Sequence, residues 1–295
     1  MTKGGRIGEG SRLRMSDEGI QPHHWYSTNL VGVPTPVLAS AEFNAHPVAL
    51  HIAGAREAQA GLFALLGRSS SLNDAREMFV HYLAIAFGLR PPGADELATL
   101  GVAEQRRWRS SWRKLLQGWG MDANGPAGAV LKGWVESRFG MVPLFHKAPL
   151  ARFPSPAWVG YLEEKTASRF HNNCIHQQLD LLYEFCQWAQ QRFTLPLRGE
   201  HGASHVQLWR GSTHCEEQLV SGHLHERRCR MRFNSIASYS LSRDEASCFG
   251  DWIFRVWVPR SKLLLLPGLL PGQVLQGEQE VLALGGEYDV EASYV

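Results

Sequence analysis

The sequence predicts an α+β protein, with a mostly helical region over residues 23–198 and a β-rich region over 199–295. Three observations carry this reading. Apolar residues recur at helical spacing between about 53 and 193. At Pro196-Leu197-Arg198-Gly199 the period changes from 3.6 to 2. Beyond that point come short alternating runs punctuated by glycine and proline. Helices gathered first and strands afterwards fit an α+β arrangement better than repeated βαβ units. With 295 residues, 44% of them hydrophobic, the chain can bury one large core or two smaller ones.

Residues 1–22 are polar and glycine-rich with no apolar run, the pattern of a flexible start rather than a secretory signal. Residues 23–52, with Pro34, Pro36 and Pro47, read as irregular, partly extended chain over a core. A helix begins near Ala53, with Ala55, Ala58, Leu62, Leu65 and Leu66 on one face and Gly67 closing it. A second starts at Ser71–Asp74 and is stopped by Arg90-Pro91-Pro92. The third, Ala103 to about Trp119, stacks Trp108, Trp112, Leu115, Leu116 and Trp119 in one stripe. Arg106, Arg107, Arg109, Arg113 and Lys114 cover its other side. That pattern is either a core-facing stripe with a solvated basic face or a dock for an acidic partner or a membrane. A short helix at 128–138 and a long one over about Asn172–Phe193 come next. Strand candidates are Val206–Arg210, Cys229–Phe233, Ile236–Ser240, Trp252–Val258, Lys262–Leu266, Gln279–Leu284 (ended by Gly285-Gly286) and Tyr288–Tyr294.

A net charge of +2 gives no reason to expect nucleic acid or an anionic membrane as partner. No run approaches the roughly 18 apolar residues of a membrane span. Five scattered cysteines, an odd number, fit reduced thiols in a cytoplasm.

Three features recur in order within the β-rich region. Arg210 ends a strand and is followed by Gly211, where a planar guanidinium can present a fork to a diphosphate. Ser238-Tyr239-Ser240 places two hydroxyls on one strand face and Tyr239 on the other. Ser242-Arg243-Asp244-Glu245 then forms a capping-box pattern opening a short helix, with Ala246 and Phe249 on its inner side. That gives Ser242 a local role and leaves Ser238 and Ser240 with none. Finally Glu278 and Glu280 share a strand face about 6–7 Å apart. Two carboxylates so placed repel unless a cation or a reaction uses them. The loop Pro267-Gly268-Leu269-Leu270-Pro271-Gly272-Gln273 before them is long enough to reach a substrate.

Arg, then Ser-x-Ser with Ala and Phe, then Glu-x-Glu-Val-Leu resembles the ordered signature of the arginine-specific mono-ADP-ribosyltransferases. It is carried here by Arg210, Ser238 and Ser240, Ala246 and Phe249, and Glu278, Glu280, Val281 and Leu282. Tyr239 stands where that family usually has Thr. Because its side chain is expected to face away from the serines, little effect on chemistry is expected. The stretches from His24 to Gly32 and from His46 to Gly54, and much of the chain beyond them, are similar to the dinitrogenase reductase ADP-ribosyltransferases of nitrogen-fixing bacteria.

The resemblance implies a split two-sheet β core with a central cleft that holds NAD. It implies transfer of ADP-ribose from NAD to an arginine of dinitrogenase reductase, and a PII-type nitrogen signalling protein as activator. Within that frame Glu280 stabilises the oxocarbenium-like charge at the ribose, positioned by Ser238 or Ser240. Glu278 orients the acceptor guanidinium and takes its proton. Arg210 with Gly211 holds the pyrophosphate, and Phe249 belongs to the same NAD site.

Rival readings are the same NAD chemistry on another protein's arginine, and a non-catalytic binding module using the basic Trp helix. A third is a zinc site among His201, His205, His214, Cys215, His223, His225 and Cys229. No pair in that set has a closed-site spacing, so no metal is expected. No G-x-G-x-x-G follows a strand and opens a helix, which argues against Rossmann-type NAD use.

Overall fold

The computed structural model describes residues 29–89, 99–150, 153–195, 197, 204–213, 215–272, 275 and 279–295. The expected flexible start, Pro91-Pro92, the switch residues Pro196, Arg198 and Gly199, His201, His214 and Glu278 lie outside them.

The helices come first. They are α1 (Thr35–Leu38), α2 (Ala41–Ala45), α3 (Ala55–Ala58), α4 (Ala60–Leu66), α5 (Leu72–Phe87), α6 (Val102–Arg109), α7 (Trp112–Met121), α8 (Pro126–Phe139), α9 (Pro156–Thr166) and α10 (Ile175–Arg192). A small hairpin, β1 (Phe145–His146) with β2 (Ala148–Pro149), interrupts them. The strands β3 (His205–Ser212), β4 (Leu219–Gly222), β5 (Arg228–Ser240), β6 (Trp252–Pro259), β7 (Leu263–Leu265) and β8 (Glu280–Tyr294) come after, with α11 (Arg243–Ser247) between β5 and β6. The fold is α+β, with an antiparallel sheet of six strands.

Several elements depart from their sequence readings for local reasons. The irregular segment 23–52 contains two helical turns, because Pro36 sits in the first turn of α1 and Ser40 caps α2 by accepting from Phe43 N. The third helix is broken into α6 and α7. Ser111 Oγ accepts from Lys114 N as a new N-cap, and Ser110 Oγ donates to Arg169 O. Helix α9 has no counterpart among the elements expected from sequence, although Ser155 caps it and Pro156 stands at its first position.

Gly285-Gly286 does not end a strand. β8 runs on through it, opposite β5, with Phe233 facing Gly286 and Ile236 facing Leu284. Asn234 and Ser235 thus oppose one residue, a β-bulge. A Cβ on Gly285 would stand 1.7 Å from Asn234 O, so only glycine allows this approach. The bulge frees the Glu287 N–H to donate to Ala39 O at 2.7 Å, tying β8 to the α1–α2 corner.

The ladders close on themselves. β5 pairs with β8, β8 with β6, β6 with β3, and β3 returns to β5 through Trp209 opposite Ser240. One contiguous apolar core joins helix residues such as Phe79, Leu116, Trp134 and Leu182 to strand residues such as Phe233, Phe254 and Leu282. Burial of this size is the main term holding the fold.

Candidate active site

Three strands meet at one row. Trp209 on β3 is opposite Ser240 at the end of β5, and Ser240 is opposite Glu280 at the start of β8. Directly opposed residues carry side chains on the same face, as does Ser238 two residues from Ser240. Together with Arg210, Gly211, Tyr239, Glu245, Ala246, Phe249 and the α7–α8 residues Trp119, Gly120 and Ala123, they line a cavity of about 400 Å³. Of the residues singled out in the sequence, Arg210, Gly211, Ser238, Ser240, Phe249 and Glu280 are brought together here. Glu278 lies outside the described residues.

Arg210 enters this wall from β3. Its Nη1 donates to Ser238 O at 2.6 Å, and its guanidinium carbon lies 5.6 Å from the Phe233 ring centroid. Its Nε is buried with no hydrogen-bond partner among the described residues. Burial pulls the guanidinium pKa below its ordinary value, with Tyr239 opposing that shift. Arginine nevertheless stays protonated. A guanidinium lining a cavity suits an anion such as a diphosphate.

Gly211 serves by what it lacks. A Cβ there would stand 2.0 Å from Ala246 O, so glycine lets α11 press onto β3. Ala246 is buried at 1% exposure, whereas Phe249 is 73% exposed. The expectation that both faced inward fails for Phe249. The helix ends at Ser247, and Phe249 falls in the turn after it, at the rim of the cavity.

The two serines are engaged, contrary to the expectation that they had nothing local to do. Ser238 Oγ accepts from Trp119 Nε1 at 3.1 Å. Ser240 Oγ donates to Glu245 Oε2 at 3.1 Å and accepts from Ser242 N at 3.0 Å. The capping box is therefore only half formed. Ser242 Oγ accepts from Glu245 N, but the Glu245 carboxylate turns to Ser240 rather than to Ser242 N.

Tyr239 faces the core as its strand position requires. It is 3% exposed and lies edge-on to Phe233 at 5.9 Å between centroids. Its buried hydroxyl has no hydrogen-bond partner among the described residues, and burial raises its pKa.

Sequence reasoning missed Trp119 and Glu245 as parts of the site. Both carried a visible signal that had a simpler reading, a core stripe for the first and a helix cap for the second. Trp112, Leu115, Leu116 and Trp119 do face inward, while Trp108 is only half-buried. The described part of the 267–277 loop is tied down by α5 and α7, with Arg76 Nη1 donating to Gly268 O and Arg113 Nη2 to Pro271 O.

Four of the described residues weighed for zinc have other surroundings. His205 Nε2 is 2.6 Å from Asn44 O, His225 lies edge-on to Trp252, and Cys215 and Cys229 are buried. Among the described residues no three His, Cys, Asp or Glu side chains are grouped to hold a metal. The five cysteines are free thiols, and no described helix is long and apolar enough to cross a membrane.

Comparison with known proteins adds what geometry alone does not. The model of the family described as dinitrogenase reductase ADP-ribosyltransferase matches residues 28–292. A curated relative from Rhodospirillum rubrum, named NAD(+)–dinitrogen-reductase ADP-D-ribosyltransferase, is 46% identical over 282 residues, covering 95% of this chain and 100% of that protein. No solved structure matches the chain significantly.

Proposed function

The chain belongs to the dinitrogenase reductase ADP-ribosyltransferase family, and from that premise we propose that it transfers ADP-ribose from NAD to an arginine of dinitrogenase reductase. The observation that carries this reading is the convergence of Arg210, Ser238, Ser240 and Glu280 on one cavity, in the order the signature requires.

NAD lies in this cavity with its diphosphate on Arg210. A diphosphate oxygen accepts from the Arg210 guanidinium, which lines the cavity. The ribose attached to nicotinamide faces Glu280. As the bond from ribose C1′ to the nicotinamide nitrogen breaks, that nitrogen keeps the electron pair and positive charge grows on C1′ and the ring oxygen. Glu280 stabilises that charge more than it stabilises the neutral ribose of the ground state, which is the condition for catalysis. Ser238, with one lone pair occupied by the Trp119 indole, has its own proton available for the cleft.

An acceptor guanidinium nitrogen then attacks C1′, forms the new C–N bond and gives up one proton. A guanidinium is a poor nucleophile while fully protonated, so a carboxylate must take that proton as attack proceeds. Glu278 fills that role by its place in the Glu-x-Glu pattern.

Activation by a PII-type nitrogen signalling protein and action in the cytoplasm belong to the same family reading. Labelled NAD incubated with the protein and dinitrogenase reductase tests it. Label on one arginine of the partner supports the function. An unlabelled partner, with a PII-type protein present, contradicts it.

A further inference from the structure

We infer that Glu245 is a substrate-binding carboxylate that docks the acceptor guanidinium beside Glu280, an inference that rests on the transferase reading above. Glu245 lines the same cavity as Glu280 and Arg210. Helix capping does not use its carboxylate, because the Ser242 N–H goes to Ser240 Oγ instead. Oε2 accepts the Ser240 hydroxyl at 3.1 Å, and among the described residues no hydrogen bond holds Oε1.

Ser240 fixes the relation between the two acids. Its single proton is given to Glu245, so it has none for Glu280, the residue directly across the ladder. Two carboxylates therefore flank one serine. Neither forms an ion pair among the described residues.

The cavity is also built for an anion elsewhere. Arg210 lines it too, a cation with no ion pair among the described residues. Charge thus divides the cleft, with the donor's diphosphate drawn to Arg210 and a cation drawn to Glu245 and Glu280. A guanidinium, planar with five donors, suits a carboxylate better than a point charge does. With Glu280 occupied at the ribose and Glu278 assigned the proton, Glu245 is the cavity carboxylate that holds the guanidinium in place.

Steady-state transfer from NAD to dinitrogenase reductase by wild type, Glu245→Gln and Glu245→Asp tests this. Glutamine can still accept the Ser240 hydroxyl but carries no charge. Its KM for dinitrogenase reductase is expected to rise about tenfold more than its KM for NAD, as loss of one charge-assisted hydrogen bond predicts. Aspartate keeps the charge and is expected to restore at least part of that difference. Should the glutamine variant prove unstable, the aspartate variant still decides, with a smaller rise confined to the acceptor KM. Equal changes in both KM values, or none, would overturn the docking role while wild-type transfer stands. Absence of any transfer by wild type would instead remove the transferase reading itself.

Discussion

The indole Nε1 of Trp119, near the end of α7, donates to Ser238 Oγ on β5 at 3.1 Å. A helix of the N-terminal region thus holds a serine of the β-rich region, across 119 residues of sequence. The bond fixes the Ser238 hydroxyl as an acceptor on one side and leaves its proton for the cleft.

Trp119→Phe keeps an aromatic ring and removes only the donor. The expected outcome is a fall of about tenfold in kcat for transfer, with KM for NAD changing less than about twofold. Far-UV circular dichroism should be unchanged. A variant with both constants at wild-type values would show that the indole merely packs.

Arg210→Met removes a buried cation that no carboxylate pairs with among the described residues. Replacing a buried charge with an apolar side chain of similar length is often neutral or stabilising. Urea unfolding should therefore show a loss of at most about 1 kcal/mol, the worth of the bond to Ser238 O. NAD binding by calorimetry should fall by about a hundredfold or more, as two charge-assisted hydrogen bonds are lost.

Gly211→Ala tests the packing beneath the site. The added methyl would stand 2.0 Å from Ala246 O, so α11 must move off β3. Overpacking of this kind costs about 1–3 kcal/mol. Because α11 carries Glu245, transfer activity should fall along with the Tm.

Lys262 provides a pH signature. It is fully buried, lies 5.2 Å from the Phe43 ring centroid and 5.0 Å from that of Tyr288, and donates to Gly285 O at 3.2 Å. Burial lowers its pKa from 10.5 to about 7. Between those values the unfolded chain binds more protons than the folded one, so stability rises with pH from about 7 to about 10.5. Below about pH 7 the burial penalty is fully present. Chemical denaturation of Lys262→Met across this range should lack the rise that wild type shows.

Much of this could be read from the sequence because the signals were local. The change of period near residue 196 separated helices from strands, and strand alternation alone put Tyr239 on the face opposite Ser238 and Ser240. What escaped depended on distant partners. No pattern around Gly285 tells that its missing Cβ admits the Asn234 carbonyl, so the sequence reads as two strand segments where one bent strand runs. Trp119 has the spacing of a core stripe whether or not its N–H meets a serine on β5. Glu245 fits a capping box until Ser240 offers its carboxylate a different proton. Phe249 keeps helical spacing with Ala246, but the helix stops before reaching it.

The most direct test of the central claim is NAD cleavage by Glu280→Gln in the presence of dinitrogenase reductase, with Glu278→Gln beside it. Glu280→Gln is expected to cleave no NAD, while Glu278→Gln retains some hydrolysis but transfers no ADP-ribose. A Glu280→Gln variant that still cleaves NAD at the wild-type rate would contradict that claim.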